Sequence, residues 1–566
     1  MSFASPKTYT NPEYSYRHSP DQDAATPVHH PVIIVGAGPA GLAAAMDLAL
    51  QGIATVVLDD NNTVSVGSRA ICFSKRTLEI CDRYGCAKPM VDKGITWKLG
   101  KVYNGDRQIY EFNLLPEEHH KMPAFINLQQ YYFEEYMVNR VADFDAIDLR
   151  WLQKVTKVET DDHGARVEVH TQDGPYVMTC DYLLVADGAN SPIRTQLGLE
   201  SKGQIFEDRF LIADVVMKAD FPTERRFWFN PTFHSGQSTL LHRQADDVWR
   251  IDFQLGWDAD PEAENQPDKI IPRIQKMLGE GVEFELEWSS VYTFRCRMMD
   301  SLIHHRVYFI GDAAHQVSPF GARGANGGIQ GVENLSWKLA RVLKNEAPAA
   351  LLATYDIERQ HGAKENILNS TRATDFMTPK NEISKVFRNE VLHLAEHYPF
   401  ARTLVNSGRL SMPCVYEETP LNTPDTERFA PKMRPGSPAA DASIESPGGE
   451  NWLLECLGNR FAVMVAADLV DQQLADLQRQ IAELHQRAPE IDLLLVDAAA
   501  GTVELRENDK TISDTLGLIK ERYDLQPGSA YLFRPDQHVC ARWRSLESDK
   551  VMQAMKRAMG FELEGA

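Results

Sequence analysis

The stretch PVIIVGAGPAGLAAAMDLALQG, residues 31–52, constrains this chain more than any other. A β-branched run enters a glycine turn, an alanine-rich helix follows to Gly52, and ATVVLDD then reads as a second buried strand. A strand, helix and strand in that order make a β-α-β unit, and its crossover requires the two strands to pair in parallel. In Gly36-x-Gly38-x-x-Gly41 the first glycine makes the tight turn and the second lets the backbone approach a pyrophosphate. The third allows close strand–helix packing, and the helix N-terminus offers N–H donors and positive dipole. Asp59 ends the second strand near the interval expected for a carboxylate on an adenosine ribose. The motif alone does not separate FAD from NAD.

Two later stretches share its grammar. DYLLVADGANSPIRTQLG is a strand followed by Asp187-Gly188, with Ser191 and Arg194 on the next turns. VYFIGDAAHQVSPFGARGANGGIQ is a strand ending at Gly311-Asp312, then Pro319, then a glycine loop entering a helix near Gly331. A carboxylate at Asp312 is placed to accept from the hydroxyls of a ribityl chain, and the loop N–H groups to approach the electron-rich pyrimidine side of a flavin.

Between these motifs, from about 205 to 300, the pattern changes to alternation: RRFWFNP, STLLHR, VWRIDFQLGW, FELEWSSVYTF. This predicts an antiparallel sheet inserted before the chain returns at Val307. SRAICFSKRTLEICDRYG and NLQQYYFEEYMVNRV read as helices, and helical periodicity dominates from Gly331 to about Asn406. The expected organisation is a flexible N-terminal arm over 1–29 and the first part of a nucleotide-binding domain over 30–204. A sheet domain follows over 205–303, the return with a helical segment over 304–415, a Pro/Ser/Gly-rich linker over 416–450, and a small α/β domain over 451–566.

The 59 basic and 80 acidic residues give a formal net charge of -21, which argues against nonspecific nucleic-acid binding and against an anionic membrane surface. The eight cysteines are scattered without metal-type spacing, so no metal is expected and the thiols fit a reducing cytoplasm. No leader and no long apolar span is evident in the sequence, which predicts neither secretion nor membrane crossing.

The three motifs, in this order and at these distances, resemble the group A flavoprotein monooxygenases. These are FAD-dependent aromatic hydroxylases typified by p-hydroxybenzoate hydroxylase and phenol hydroxylase. The resemblance covers roughly residues 30 to 400. Residues from about 445 to 566 resemble the thioredoxin-like domain of the phenol hydroxylase and 3-(3-hydroxyphenyl)propionate hydroxylase branch, without a CxxC, which leaves a structural or dimer-supporting role. The implied fold is α/β: a Rossmann-like FAD-binding domain, an inserted antiparallel-sheet substrate domain and a C-terminal thioredoxin-like domain.

The resemblance implies that Gly36, Gly38 and Gly41 hold the FAD pyrophosphate, Asp59 the ribose, and Arg69 the region between pyrophosphate and flavin. Gln129 or Gln130 would reach the cofactor, the adjacent pair leaving the register open. Asp187, Gly188 and Arg194 would serve both FAD and the reduced nicotinamide, and Asp312 the ribityl hydroxyls. Pro319 would offer its carbonyl to a substrate phenol, and Gly324, Ala325 and Asn326 their backbone amides to the flavin edge. The implied activity is hydroxylation of a phenolic aromatic compound through a flavin C4a-hydroperoxide, with NADH or NADPH and O2, by a cytoplasmic homodimer in aromatic catabolism. Alternatives are a polyketide-tailoring hydroxylase or epoxidase of the same fold and a non-catalytic flavin-binding sensor.

For the substrate, STLLHR puts Ser238, Leu240 and His242 on one face, and WRIDFQ puts Arg250, Asp252 and Gln254 on one face. His242 and His234 are the candidate partners of a phenol hydroxyl. An acidic substrate would require an arginine inside, and alternation does not choose among Arg225, Arg226, Arg243 and Arg250.

Overall fold

Residues Val32, Ile33 and Ile34 are fully buried in the strand Val28–Val35, as a strand covered on both faces requires. The computed structural model describes residues 8–563 apart from 220, 280, 406–409, 500 and 502. Val28–Val35 lies parallel to Gly174–Val185 on one side and to Thr55–Leu58 on the other. Across this sheet the order is Ile303–His304, Val307–Phe309, Gly174–Val185, Val28–Val35, Thr55–Leu58, Ile147–Arg150. Val35 sits opposite both Leu58 and Val185, and Val185 opposite Phe309. Gly36, Asp59, Asp187 and Gly311 therefore leave from one carboxyl edge, the edge at which open parallel sheets bind ligands.

The second sheet has eight strands, and residues 201–299 supply five of them. Its antiparallel pairs follow the expected alternation, with His242 opposite Arg250 and Leu240 opposite Asp252. One boundary moves. Residues 99–113 were expected in the nucleotide-binding domain, but the hairpin Leu99–Asn104 and Arg107–Asn113 extends the second sheet, with Leu99–Asn104 parallel to Arg225–Phe229. Val102, Ile109 and Tyr110 drive this, packing with Phe206, Phe229 and Phe294. Cys72–Ser74 is likewise a strand, and only Lys75–Tyr84 of the predicted helix is helical. The third motif joins the two sheets, since Val307–Phe309 belongs to the first and His315–Gln316 pairs with Arg297 and Met298 in the second.

The expected arm is docked from residue 8 onward; residues 1–7 lie outside the described residues. Tyr9 stacks on Tyr131 at 4.1 Å and Tyr14 on Trp151 at 4.5 Å, while Ser19 caps a short 3-10 turn at Pro20–Asp23. The aromatic rings explain the difference, because each buries area that a polar tail lacks. The expected linker is also a packed strap: Tyr416, Leu421, Ala439, Ala442 and Ile444 are buried, and Arg542 holds Asp425 at 2.6 Å.

The C-terminal sheet runs Lys510–Ile512, Asp492–Val496, Ala462–Ala466, Ala530–Phe533, Val539–Trp543. A parallel strand–helix–strand unit built around Asp471–Arg487 is followed by an antiparallel hairpin and the helix Ser548–Ala558, the thioredoxin-like layout. No helix among the described residues is long and apolar enough to cross a membrane.

Candidate active site

The glycine loop divides its labour. Gly36 has φ +107°, and a Cβ there would lie 2.4 Å from the Ala186 carbonyl oxygen, so only glycine fits. A Cβ on Gly41 would lie 1.8 Å from the Gly36 carbonyl oxygen, which is the close helix packing expected of the third glycine. A Cβ on Gly38 would meet nothing within 4 Å among the described residues. Gly38 is thus the position left clear for a ligand. Asp59 closes the loop from the next strand, its Oδ2 accepting from Ala37 N at 2.6 Å and its Oδ1 from Asn61 N at 2.8 Å. Burial pushes its carboxyl up, and the two N–H donors oppose that shift. Each oxygen keeps a lone pair for a further donor.

The other two motifs converge on this loop. Arg194 donates from Nη1 to Ala313 O at 2.7 Å and from Nη2 to Ala189 O at 2.9 Å, so it ties the Asp187-Gly188 turn to the Gly311-Asp312 turn. A Cβ on Gly311 would lie 2.9 Å from Ala40 Cβ, and one on Gly328 3.3 Å from Gly311 Cα, which brings the helices Pro39–Leu50 and Gly324–Leu343 together. Both helices begin without a side-chain cap, leaving N-terminal N–H groups to other acceptors. Asp312 keeps solvent-accessible surface, yet burial pushes its carboxyl up with only Arg69 opposing; Tyr292 shares that environment. A group both accessible and surrounded lines an internal space. Arg69 is set by its backbone, because Arg250 donates to Ser68 O and Arg69 O while Asp214 holds Arg250 at 2.8 Å. The clear face at Gly38, the uncapped helix ends and the enclosed Asp312–Arg69 pair fit an extended flavin dinucleotide along this edge.

Residues 29–370 match the FAD binding domain family. The chain belongs to that family. It is an FAD-dependent aromatic monooxygenase with the fold of p-hydroxybenzoate hydroxylase. It is 24% identical over 539 residues to 3-(3-hydroxy-phenyl)propionate/3-hydroxycinnamic acid hydroxylase of Mycobacterium sp. (strain JLS), covering 93% of this chain and 91% of that protein. It is 29% identical over 529 residues to 6-methylpretetramide 4-monooxygenase of Streptomyces rimosus, covering 90% of each. Its fold matches the flavin-dependent monooxygenase PieE, crystallised with FAD and substrate, at a TM-score of 0.78 and 20% identity, over 96% of this chain and 100% of that one.

Several residues of the monooxygenase take different positions from those expected. Gln129 is buried and donates from Nε2 to Ala245 O at 3.0 Å, while Gln130 accepts from Ala70 N at 3.0 Å and donates to Glu134. Both carboxamides brace the Arg69 loop and the second sheet rather than reach for a ligand. Arg194 is a buried tie between loops, its two donors spent on carbonyls. The Asn326 side chain accepts from Ser74 N at 2.9 Å and donates to Cys72 O and Ala322 O, so only its backbone serves the helix end. His234 donates to Gln254 O at 2.7 Å and packs on Phe253, which alternation places on the face opposite Arg250 and Asp252. It is removed from the site.

His242 remains. It lies 3.7 Å from Asp252, and burial with Arg225 and Arg250 keeps its imidazole neutral. The Pro319 carbonyl accepts from Ala322 N at 3.0 Å and retains one lone pair. Phe320, Gly321 and Arg323 after it line a cavity of about 700 Å³, walled also by Arg225, Phe227 and Phe229. Arg225, Asp252 and Tyr292 were not singled out by sequence. The one available signal was the alternation placing Arg225 on the face of Phe227 and Phe229.

Burial pushes Asp252 up to about 6, with Asp214 adding to the shift and Arg250 and Arg225 opposing it. The native carboxyl then binds a proton that the unfolded one, near 3.9, has lost, so stability falls as pH rises from about 4 to about 6. Asp252→Asn is expected to remove that fall, gaining roughly 2–3 kcal/mol relative to wild type at pH 7 over pH 4. Denaturant midpoints of both proteins at the two pH values measure it, and parallel profiles would refute it.

Proposed function

We propose that this monooxygenase hydroxylates a phenolic ring, taking two electrons from NADH or NADPH and releasing one oxygen atom of O2 as water. The supporting observation is the cavity of about 700 Å³ that begins at the turn carrying Pro319 and ends against the uncapped helix Gly324–Leu343. FAD bound along the carboxyl edge supplies electron transfer and oxygen activation. The protein's part is position and exclusion of water. The spare lone pair on the Pro319 carbonyl accepts from a phenol O–H and raises the nucleophilicity of its ring. Neutral His242 is available as a second acceptor under the sheet, and the phenylalanines exclude bulk water.

The cavity has several times the volume of one phenol ring, and this favours a multi-ring phenol of the polyketide-tailoring kind over a single-ring catabolic substrate. The eight free thiols support a cytoplasmic setting, and the exposed Ile383, Val386, Phe387 and Phe400 support a homodimer.

Purified protein is expected to be yellow, and members of a phenol panel to accelerate NAD(P)H oxidation with formation of hydroxylated product. A flavin that neither nicotinamide reduces, whatever phenol is present, would leave only the sensor reading. Gly324→Val puts a branched side chain at the first turn beside the flavin edge. It is expected to lower the ratio of hydroxylated product to NAD(P)H consumed by about tenfold, the equivalent of 1.4 kcal/mol. Normal coupling would remove that helix end from the site.

A further inference from the structure

Three of the four arginines that alternation left open are matched in the structure. Arg226 pairs with Glu224 at 2.9 Å, Arg243 with Asp247 at 3.3 Å and Arg250 with Asp214 at 2.8 Å. Arg225 is not. It opens the strand Arg225–Phe229, and the period of two sets it beside Phe227 and Phe229, all three lining the cavity of about 700 Å³. Among the described residues Arg225 forms no ion pair, and its Nη1 is buried without a hydrogen-bond partner. Lys101, on the neighbouring strand, is spent on Glu224 at 2.8 Å. Arg323 adds positive charge to the same wall, its Nη1 donating to Phe320 O at 3.0 Å. A guanidinium held among aromatic rings without a counter-charge costs desolvation that a bound anion offsets.

We propose that Arg225 is the specificity determinant for an aromatic substrate bearing a carboxylate, which it pairs through parallel N–H···O bonds while the phenylalanines contact the ring. Guanidinium and carboxylate match in geometry as well as charge, and the apolar surround strengthens the pair. This deepens the aromatic-hydroxylase reading and rests on it.

The test titrates the FAD-loaded protein with 3-(3-hydroxyphenyl)propionate and 3-hydroxy-2-naphthoate, and with the primary carboxamide of each, following the flavin absorbance change. At least one acid is expected to bind about 30-fold or more tightly than its amide. Arg225→Met is expected to erase that preference by weakening the acid alone, and Arg225→Lys to keep part of it. Because Arg225 has no ion pair to lose, the Met variant is expected to melt at or above the wild-type temperature. Equal binding of acid and amide by wild type, no response to either acid at millimolar concentration, or equal weakening of acid and amide in the Met variant overturns the proposal. So does a melting temperature many degrees lower, which would mark a structural arginine. Acid preference without nicotinamide-driven hydroxylation would instead overturn the hydroxylase reading and leave the anion subsite standing.

Discussion

Gly38→Val is expected to yield a folded protein that purifies without flavin. The backbone at Gly38 is extended, with φ -76° and ψ -177°, a conformation that valine adopts readily. Its Cβ would meet nothing within 4 Å among the described residues, so melting of the flavin-free variant should match flavin-free wild type within about 0.5 kcal/mol. The branched side chain would nevertheless stand on the approach to the uncapped N-terminus of Pro39–Leu50, where a pyrophosphate takes its N–H donors. A loss of FAD affinity of at least about 100-fold, or ~3 kcal/mol, follows. Gly41→Ala is the informative contrast. Its Cβ would sit 1.8 Å from the Gly36 carbonyl oxygen, so it must displace the helix and destabilise the apo fold by about 1–3 kcal/mol. The pair separates a glycine kept for ligand approach from one kept for packing. Flavin titration and apo melting curves read both, and a Gly38→Val protein that holds FAD normally would move the pyrophosphate elsewhere.

What could be read in advance follows from where the information lies. The dinucleotide edge was legible because its backbone demands appear as letters: Gly36 and Gly41 are glycine since nothing else fits, and the strands before Gly36, Asp187 and Gly311 are written in β-branched and aromatic runs. The substrate side was legible only as faces. Alternation put Arg250 and Asp252 together, but no local pattern tells that Arg250 is spent on Asp214, 36 residues away, or that Arg225 is matched by nothing among the described residues. Adjacent glutamines posed the same problem, and tertiary partners decided it: Ala245 O for Gln129, Ala70 N for Gln130. Composition misled at the arm and the strap. Pro-, Ser- and Tyr-rich segments read as mobile, yet a few apolar side chains such as Tyr9, Tyr14 and Ala442 suffice to dock them when the partner surface is already formed.

The C-terminal domain carries no CxxC, and its contacts explain what it does instead. Glu358 is fully buried and accepts from Lys338 Nζ at 2.7 Å and Arg534 Nη1 at 2.7 Å, while Arg534 also pairs with Asp536. Arg76 reaches the same seam, bonding Glu333 at 2.9 Å and Gln537 at 2.8 Å. Lys338 and Glu333 lie on Gly324–Leu343, the helix whose first turn faces the flavin edge, and Arg534, Asp536 and Gln537 belong to the C-terminal domain. That domain therefore clamps the rear of the helix. Burial opposes ionisation of Glu358, but Arg534 and Lys338 outweigh it and hold the carboxyl well below the usual range. Its stabilisation is present above the unfolded carboxylate pKa and is lost only as pH falls further, below about 4. Glu358→Ala removes the anion and leaves Arg534 and Lys338 in the dry interior, where breaking such a pair costs about 3–5 kcal/mol. The variant is expected to melt several degrees lower and to release FAD more readily than wild type, because the helix loses its rear support. Asp300→Ala breaks only the exposed pair with Lys202 and should change neither property. A Glu358→Ala protein with wild-type melting and flavin retention would show that the clamp is not what holds the helix against the cofactor.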